Sequence, residues 1–313
     1  MQLRQLAYFV RIVEIGSFSR AAQSLHVAQP GLSQQISQLE DELGVKLLTR
    51  SVRGIAPTAA GDAVFRHAQA ILKQVDATQL IAAEADSGPA GKVTVGLPWT
   101  VASLLGLPLL LEVRAALKTV RLEIVEGPSA VLANLLAEGK IEVAVLFDNA
   151  VSGGLIMRPI LSEPLFFVGP RHSLAGRSNF PVQDAAAYPL LLMSRPNGIR
   201  EMIERQFAGL SLRPEVVAEI NAPALLLDAV KAGLGYAILP ACGFGAAAAL
   251  NQVDAVELEG GSLRRSAFLC TSRLFSISPA ADRVYDLIWR LMEAAVAEGR
   301  WTASLETRSE EPH

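Results

Sequence analysis

Residues 18–44, FSRAAQSLHVAQPGLSQQISQLEDELG, predict two short helices joined by a tight turn. The first helix carries small side chains that leave room for a crossing helix, and Ser19 is placed to cap it. Val27 falls in the turn, and Pro30 stands where the first helical turn tolerates a missing N–H. Apolar residues then recur at helical spacing, namely Leu32, Ile36, Leu39 and Leu43.

The face of the second helix that lies away from these apolar residues is polar and uncharged. Its side chains are Gln29, Ser33, Gln34, Gln35, Ser37 and Gln38, of which Gln35 is expected to lie closer to the supporting helix. A helix-turn-helix needs this division, because its second helix enters the major groove with donors and acceptors facing base edges. The alternative is an ordinary helical hairpin with a solvated face, and the spacing alone leaves both open.

The segments on either side complete a small module. Residues 3–15 place apolar side chains at helical intervals, and Gly16 ends that helix. Arg50 and Arg53 stand near Gly54 in a segment that indicates a hairpin. Arginines at such a tip reach phosphates or a minor groove beside the helix. The alternative for this hairpin is a solvated turn with incidental charge.

Three segments resemble the LysR-type transcriptional regulators. They are LRQLAYFVRIVEIGSFSRAAQSLHVAQP (3–30), LSQQISQLEDELGVKLLTR (32–50) and RGIAPTAAGD (53–62). The resemblance extends more loosely over nearly the whole chain. In IVEIGS, AQPGLSQQ and the GRW at Trp301, the chain is similar to the nitrogen-assimilation-control branch. The DNA-binding residues that we predict are Ser19, Arg20, Ala28, Gln29, Pro30, Ser33, Gln34, Gln35, Ser37, Gln38, Arg50 and Arg53.

The second helix departs from the family pattern at two positions. Many members carry an arginine where Gln34 stands, and often another near Ser37, whereas both residues are uncharged here. Glutamine bonds adenine through two atoms, and arginine prefers guanine. We therefore expect a different base preference and a weaker dependence of binding on salt.

A long helix is predicted to follow, because residues 59–86 contain no proline and only Gly61 near the start. Its apolar and small residues step by four and three in a heptad pattern that is typical of a dimer seam. The seam residues are Val64, Ala68, Ile71, Val75, Thr78 and Ala82. Dimerisation would place two DNA-binding modules on half-sites related by two-fold symmetry. The alternative is a helix packed on its own domain.

Strand and helix patterns alternate after residue 91, which predicts an α/β fold with a mostly parallel sheet. The resemblance implies a two-lobed effector domain like periplasmic solute-binding proteins, with crossings near 161–164 and 262–268. We predict a winged helix-turn-helix at 1–58, a linker helix at 59–87 and the effector domain at 88–300. Lobe I covers about 91–161 and 268–300, lobe II covers about 162–267, and 301–313 form a flexible tail.

Ligands of α/β sheets bind outside the carboxyl ends of strands, near helix N-termini that favour anions. The predicted effector-binding residues follow such strands, and the resemblance places them in the cleft between the lobes. They are Trp99, Thr100, Ser103, Ser129, Arg200 and Asn221. Alternatives remain for each: helix capping for the serine, threonine and asparagine residues, a core position for Trp99, and a solvated surface for Arg200.

Composition limits the classes of protein that fit. A chain of 313 residues with 51% hydrophobic side chains supports two or three units with substantial cores. The first 66 residues carry two more basic than acidic side chains, although the whole chain has a net charge of −3. A mildly cationic front end on an acidic body fits a DNA-binding module attached to a different domain.

Motifs for catalysis, metal binding and export are absent from the sequence. Cys242 and Cys270 are far apart, the four histidines are scattered, and no GxSxG, Walker or HExxH pattern occurs. No secretory signal pattern opens the chain, and the apolar run 104–111 is too short to span a bilayer. We expect a cytoplasmic protein that is not an enzyme, holds no cofactor or metal, and has no membrane partner.

The sequence therefore favours a sequence-specific regulator of transcription that binds double-stranded promoter DNA. We expect a homodimer, or a tetramer built as a dimer of dimers, with RNA polymerase as a further partner. An anionic small molecule in the cleft would modulate activity by changing lobe closure, or regulation would rest on protein abundance with an empty cleft. The alternative is a cytoplasmic solute-binding or enzymatic α/β protein whose N-terminal helices serve for assembly.

Overall fold

The N-terminal 87 residues contain four helices and one hairpin. The computed structural model describes residues 1–51, 54–87, 89–147, 153–259 and 263–306. Residues 1–87 and 274–276 form one unit, and the rest of the chain forms a second unit. The elements of the first unit are α1 (Leu3–Ile15), α2 (Phe18–Ser24), α3 (Gln29–Leu43), β1 (Leu48–Ser51), β2 (Gly54–Pro57) and α4 (Ala59–Ser87).

The first three helices share one apolar core. Phe9, Ile12, Ala21, Leu32 and Leu39 are all fully or nearly fully buried in it. Both α1 and α3 end at a glycine with φ of +69°, a left-handed conformation that most other residues resist. These caps fix where the chain turns, and the helix, turn and helix follow the predicted order.

The cap of α2 differs from the prediction. Ser17 is its N-cap and accepts a hydrogen bond from the backbone N–H of Arg20, at 3.5 Å. Ser19 already lies within the first turn and is exposed. The prediction of Ser19 as cap was therefore wrong, because Phe18 begins the helix by burying its ring in the core.

The predicted hairpin is formed by β1 and β2, which pair antiparallel from Leu48 opposite Pro57 to Ser51 opposite Gly54. Its second strand also binds α1, because the N–H of Ile55 donates to the carbonyl of Gly16 at 3.1 Å. Arg50 belongs to β1, whereas Arg53 lies outside the described residues.

Helix α4 spans the predicted linker segment, but its first turns belong to the core of the first unit. Ala68 is 1% exposed, and Val64 is half-buried against the same cluster. Ala68 is therefore unavailable for a dimer seam, and for it the alternative of packing on the helix's own domain holds. Val64 keeps part of its surface accessible. Further along, Ile71 and Thr78 are exposed and Val75 is half-buried, while the side chain of Ala82 is not described.

The described part of the second unit is built on an eight-stranded sheet and five helices of nine or more residues. The sheet is mixed, with more antiparallel than parallel pairings, so the prediction of a mostly parallel sheet was wrong. The strands of the second unit are β3 (Gly91–Leu97), β4 (Val120–Glu126), β5 (Val143–Phe147), β6 (Leu155–Pro170), β7 (Leu190–Leu192), β8 (Val216–Glu219), β9 (Ala237–Pro240), β10 (Val253–Glu257), β11 (Arg264–Ser272) and β12 (Ser304–Leu305). Its helices are α5 (Trp99–Ala116), α6 (Ser129–Ala137), α7 (Val182–Ala185), α8 (Gly198–Gly209), α9 (Pro223–Lys231), α10 (Gly245–Ala249) and α11 (Pro279–Ala297), with a 3-10 turn at Ala241–Gly243.

The sheet order is β10-β6-β11-β5-β3-β4, with β9 and β12 also pairing with β6. β3 runs parallel to β4 and β5, β11 runs antiparallel to β5 and β6, and β7 pairs with β8 in a separate parallel ribbon. The long strand β6 connects two apolar cores. Its residues up to Pro164 pair with β11, and those from Leu165 onward pair with β9 and β10.

The described part of the C-terminal segment does not match the predicted flexible tail. Trp301 is 1% exposed, and its indole N–H donates to the carboxylate of Glu163 at 2.7 Å. Ser304 and Leu305 add a short strand to β6. Burial of a large aromatic side chain with a satisfied polar atom anchors this segment. Residues 307–313 lie outside the described residues.

Helix α5 is the one described helix that is long and apolar enough, by length and composition alone, to cross a membrane. One face of the helix packs on the core of the second unit, while Leu107, Leu110 and Leu111 are exposed. Val101, Leu105, Leu109 and Val113 form its buried stripe against the sheet and α11. The apolar composition of the helix is thus used at least in part for packing within the domain.

Candidate DNA interface and ligand cavity

Helix α3 has one buried apolar face and one exposed polar face. Leu32, Ile36 and Leu39 are at most 2% exposed, since they pack against the other two helices. The exposed members of the predicted DNA-binding set are Ser19, Arg20, Ala28, Gln29, Pro30, Gln34, Ser37 and Gln38, while Ser33 and Gln35 are half-buried. The structure thus brings most of the predicted set to the solvent surface of α2, the turn and α3.

The N-terminal end of α3 offers backbone donors. Its N-cap residue is Ala28, which has no side chain that could bond the first N–H groups, and Pro30 stands in the first turn. Free N–H groups at a helix start attract phosphate oxygens. Nearby, the guanidinium of Arg20 donates to the carbonyl of Ile15 at 2.8 Å, which holds the arginine against the end of α1.

Glu40 is a positioning residue of the module that the sequence reasoning missed. Its carboxylate is 8% exposed and accepts the N–H groups of Leu47, at 2.9 Å, and Leu48, at 3.3 Å. Lys46 adds a charged hydrogen bond at 2.6 Å. Burial pushes the pKa of Glu40 upward, but these hydrogen bonds outweigh it, so the net pKa is lowered. Glu40 therefore ties the first wing strand to α3.

Thr58 makes the corresponding connection to α4. Its hydroxyl donates to the carbonyl of Lys46 at 2.7 Å and accepts the N–H of Gly61 at 2.9 Å, so it caps the linker helix. Gly61 is required here, because a Cβ at this position would lie 2.0 Å from the carbonyl oxygen of Leu47. The wing base, α3 and α4 thus meet in one hydrogen-bonded junction.

The second unit contains a cavity of about 180 Å³ that the first turns of α5, α6, α8 and α9 line. Its walls are largely apolar and include Trp99, Phe147, Met193, Ile199 and Met202. Backbone N–H groups at helix starts carry partial positive charge. The cavity therefore combines apolar walls with several sites that favour an anionic group.

Four of the six predicted effector-binding residues line this cavity, namely Trp99, Thr100, Ser129 and Asn221. Ser103 lies outside it, exposed, and donates to the carbonyl of Thr100. Ser129 does not cap its helix, since Pro128 is the N-cap residue. Its hydroxyl instead accepts the N–H of Phe147 at 3.1 Å, which leaves its own proton available to a ligand.

Arg200 also lies outside this cavity, although it is 6% exposed. Its guanidinium donates to Glu204 at 2.6 Å, to Glu219 at 3.0 Å and to the carbonyl of Met193 at 3.3 Å. It borders a different surface pocket between α8 and β8. Because two carboxylates already balance its charge, Arg200 is not placed to clamp an effector in the cavity.

Arg265 is the cavity arginine, and the sequence reasoning did not identify it. It is 7% exposed, donates to Glu163 at 2.6 Å and to the Thr100 hydroxyl at 3.1 Å, and lies 3.5 Å over the Phe147 ring. Glu163 is fully buried and is shared with Trp301. The pairing joins β6 to β11, residues 102 positions apart in sequence, so no local pattern could reveal it.

Neither cysteine offers a reactive thiolate. Burial raises the pKa of the Cys242 thiol to about 12, and burial also raises the pKa of Cys270. Among the described residues no group of three or more histidine, cysteine, aspartate or glutamate side chains is arranged to hold a metal ion.

Comparison with known proteins identifies both units. Residues 3–62 match the bacterial regulatory helix-turn-helix proteins of the lysR family, and residues 86–293 match the LysR substrate binding domain. The chain is 35% identical over 306 residues to the nitrogen assimilation regulatory protein nac of Escherichia coli K12, covering 96% of this chain and 98% of nac. This similarity confirms the predicted resemblance to the nitrogen-assimilation-control branch.

Solved structures show the same architecture. Full-length OxyR from Pseudomonas aeruginosa superposes with a TM-score of 0.73 at 21% identity, covering 98% of this chain and 99% of that one. Full-length CbnR in complex with its target DNA has a TM-score of 0.58 at 25% identity, covering 93% and 100%. The relatives are regulators rather than enzymes. This favours the predicted transcriptional regulator over the alternative of a solute-binding or enzymatic α/β protein. The chain belongs to the LysR family of DNA-binding transcriptional regulators, with an N-terminal helix-turn-helix and a two-lobed effector-binding domain.

Proposed function

We propose that this regulator binds promoter DNA with α3 in the major groove and the wing beside it. The observation that carries the proposal is the exposed row of uncharged polar side chains on α3, directly opposite a fully buried apolar row. Gln34 and Gln38 occupy the exposed row at a spacing of one helical turn, where they can reach successive base edges. The remaining contacts, from Arg20, the α3 N-terminus and the wing, would bind phosphates.

The DNA complex of CbnR supports this placement, since its fold and helix-turn-helix match those of the present chain. At 25% identity the match supports the position of the module on DNA and not the base sequence that it reads. The uncharged residues at Gln34 and Ser37 favour a site with adenine contacts, as argued from the sequence.

We propose that the protein acts as a homodimer, with the exposed part of α4 as the contact and dimers pairing further into tetramers. Ile71 is 39% exposed in the single chain, which is a high value for an isoleucine in a regular helix. Ile71, Val75 and Thr78 share one side of α4, whereas Leu72 of the same turn packs against the core of the first unit. A seam at this position would hold two α3 helices on half-sites of one operator.

We propose that a small molecule with an anionic group binds the cavity of the second unit and shifts the equilibrium between lobe positions. The cavity lies where β6 and β11 connect the two cores, so closure around a ligand would move one core relative to the other. We also propose that the protein is cytoplasmic and that it contacts RNA polymerase. Control by protein abundance, with no ligand, is the competing mode of regulation.

Nuclease footprinting of the purified protein on the region upstream of its own gene tests the DNA-binding part. We expect a protected site in two parts, separated by about one helical turn or a multiple of it. Uniform protection of all DNA, or no protection at low salt, would contradict a sequence-specific regulator.

A further inference from the structure

The wall of the ligand cavity carries two carboxylates, one of which, Glu201, interacts over a longer distance with Arg195, an arginine that is itself paired with Glu204. Glu126 ends β4, and Glu201 lies in the first turn of α8. Both line the cavity and both are exposed. Neither forms an ion pair within the part of the chain that the structure describes. They belong to elements on either side of the crossing strands, so closure of the cavity would bring two negative charges toward each other.

The basic side chain of the cavity is buried, unlike the two exposed glutamates. Arg265 is more than nine-tenths buried and is the sole lysine or arginine among the described lining residues. Glu163 binds its Nε and Nη2 atoms, whereas Nη1 has no hydrogen-bond partner among the described residues. Nη1 and the helix starts of α5 and α6 are therefore donors for one anionic group.

The remaining wall sets the size and the polarity of the ligand. Trp99, Phe147 and Met202 contribute apolar surface, and the volume is about 180 Å³. A buried apolar cavity of about 150 Å³ is known to hold benzene. A ligand with a single ring, or with a branched chain of similar volume, fits these dimensions.

We propose that the effector is a zwitterion, a small apolar amino acid or a close analogue. Its carboxylate would bind Nη1 of Arg265 and the helix starts, and its ammonium group would offset part of the negative charge of Glu126 and Glu201. A plain carboxylate satisfies the first requirement and leaves the two glutamates to repel it. This inference rests on the proposed role of the cavity as the effector site. It adds that the ligand carries a cationic group as well as an anionic one.

Three compounds that share a phenyl ring separate the charge requirements: L-phenylalanine, 3-phenylpropionate and 2-phenylethylamine. Full-length protein is titrated with each while thermal unfolding and tryptophan fluorescence are recorded, since Trp99 lines the cavity. A second set, L-leucine, 4-methylpentanoate and 3-methylbutylamine, repeats the comparison with a branched chain. We expect at least one zwitterion to bind ten times or more tightly than both of its singly charged analogues.

The double variant with Glu126→Gln and Glu201→Gln tests the source of that preference. Both positions are exposed, so the variant retains the fold. It should lose about tenfold in affinity for the zwitterion and gain affinity for the carboxylate analogue. Glu112→Gln, an equally exposed glutamate on α5 outside the cavity lining, should change neither.

Two results overturn the inference in distinguishable ways. If a carboxylate analogue binds as tightly as its zwitterion and the double variant has no effect, the ligand class is wrong and the cavity stands as the effector site. If no compound of either set binds, both this inference and the effector part of the proposed function are rejected. Footprinting on the upstream DNA then decides the DNA-binding part independently.

Discussion

Gln34, which we propose as a base-reading residue, is exposed on α3. Its neighbours Leu32 and Ile36 are buried, whereas the Gln34 amide is exposed and has no partner among the described side chains. A glutamine amide offers both a donor and an acceptor, the pair that adenine presents in the major groove. The side chain is thus free to bind a base without first breaking an internal hydrogen bond.

Replacing Gln34→Ala should remove that reading contact. We expect a loss of about 1–3 kcal/mol at the contacted base pair, with little change on random DNA. Fluorescence anisotropy with specific and random duplexes at one salt concentration measures both. Gln252→Ala, an exposed glutamine in the second unit, serves as the control and should leave both affinities unchanged. Equal losses on both duplexes would show that Gln34 does not read bases.

Removal of the Arg265 charge should destabilise the second unit, because Arg265 is paired with a buried carboxylate, Glu163. Glu163 is fully buried, so Arg265→Met would leave its carboxylate without a compensating charge. We expect the second unit to lose about 3–5 kcal/mol of unfolding free energy. Denaturant unfolding followed by tryptophan fluorescence measures it, because all three tryptophans lie in this unit. Arg264→Met, the half-buried neighbour that binds Ser162, should cost much less.

At the scale of elements, the wing depends on its connection to α3. Glu40 accepts two backbone N–H groups from the first residues of the wing. Glu40→Ala should leave those donors unsatisfied, at a cost of about 1–3 kcal/mol. Hydrogen exchange of the Leu47 and Leu48 amides should accelerate in the variant, while amides of α1 keep their protection. Unchanged exchange at the two residues would contradict the role of Glu40.

The same contact predicts a dependence on pH. Because the folded state holds the pKa of Glu40 below its ordinary value of 4.5, the carboxylate stabilises the fold fully above that value. The stabilisation is lost as the pH falls through the lowered pKa. The difference in urea stability between the wild type and Glu40→Gln should therefore be constant above about pH 5.5 and should narrow in more acidic solution. If the stability difference widened as the pH fell, the folded state could not be holding the pKa of Glu40 below its ordinary value.

Helix α4 packs on its own unit through Ala68 and Leu72, and we propose that Ile71, on its exposed side, belongs to a dimer seam. Placing a lysine at Ile71 should weaken the dimer by at least about tenfold, since a charge would be buried in the seam. Sedimentation velocity across a concentration series measures the dissociation constant. Asp76→Lys adds positive charge at an exposed position on another side of the helix and should have a smaller effect. An unchanged profile for Ile71→Lys would place the seam elsewhere.

Elements that depend on local sequence signals could be predicted, whereas residues whose role depends on long-range contacts could not. The helices of the first unit follow from glycine stops, Pro30 and apolar spacing, all of which are local. The full length of strand β6 could not be predicted from local sequence, because Pro159 and Pro164 argue against a strand. In the sheet they are accommodated in β6, where it pairs with β11. Glu40, Arg265 and the burial of Trp301 depend on partners that only the folded chain brings near.

On the scale of the whole molecule, the proposed function requires that two α3 helices bind one operator. Each unit has its own core, and the acidic second unit carries no predicted DNA contact. In the proposed function, the glutamine-bearing face of α3 reads the DNA sequence, α4 forms the dimer contact, and the cavity beside β6 and β11 binds the ligand.

Cleavage of operator DNA from a reagent tethered to α3 tests this central claim most directly. Gln34→Cys is labelled with an iron chelate that cuts nearby DNA, and the two native thiols should label poorly because burial raises their pKa. We predict two clusters of cuts within the footprint, separated by a whole number of helical turns. The same label at Glu112→Cys should produce none. Absence of cuts from position 34, on DNA that the labelled protein still protects, would contradict the placement of α3 in the groove.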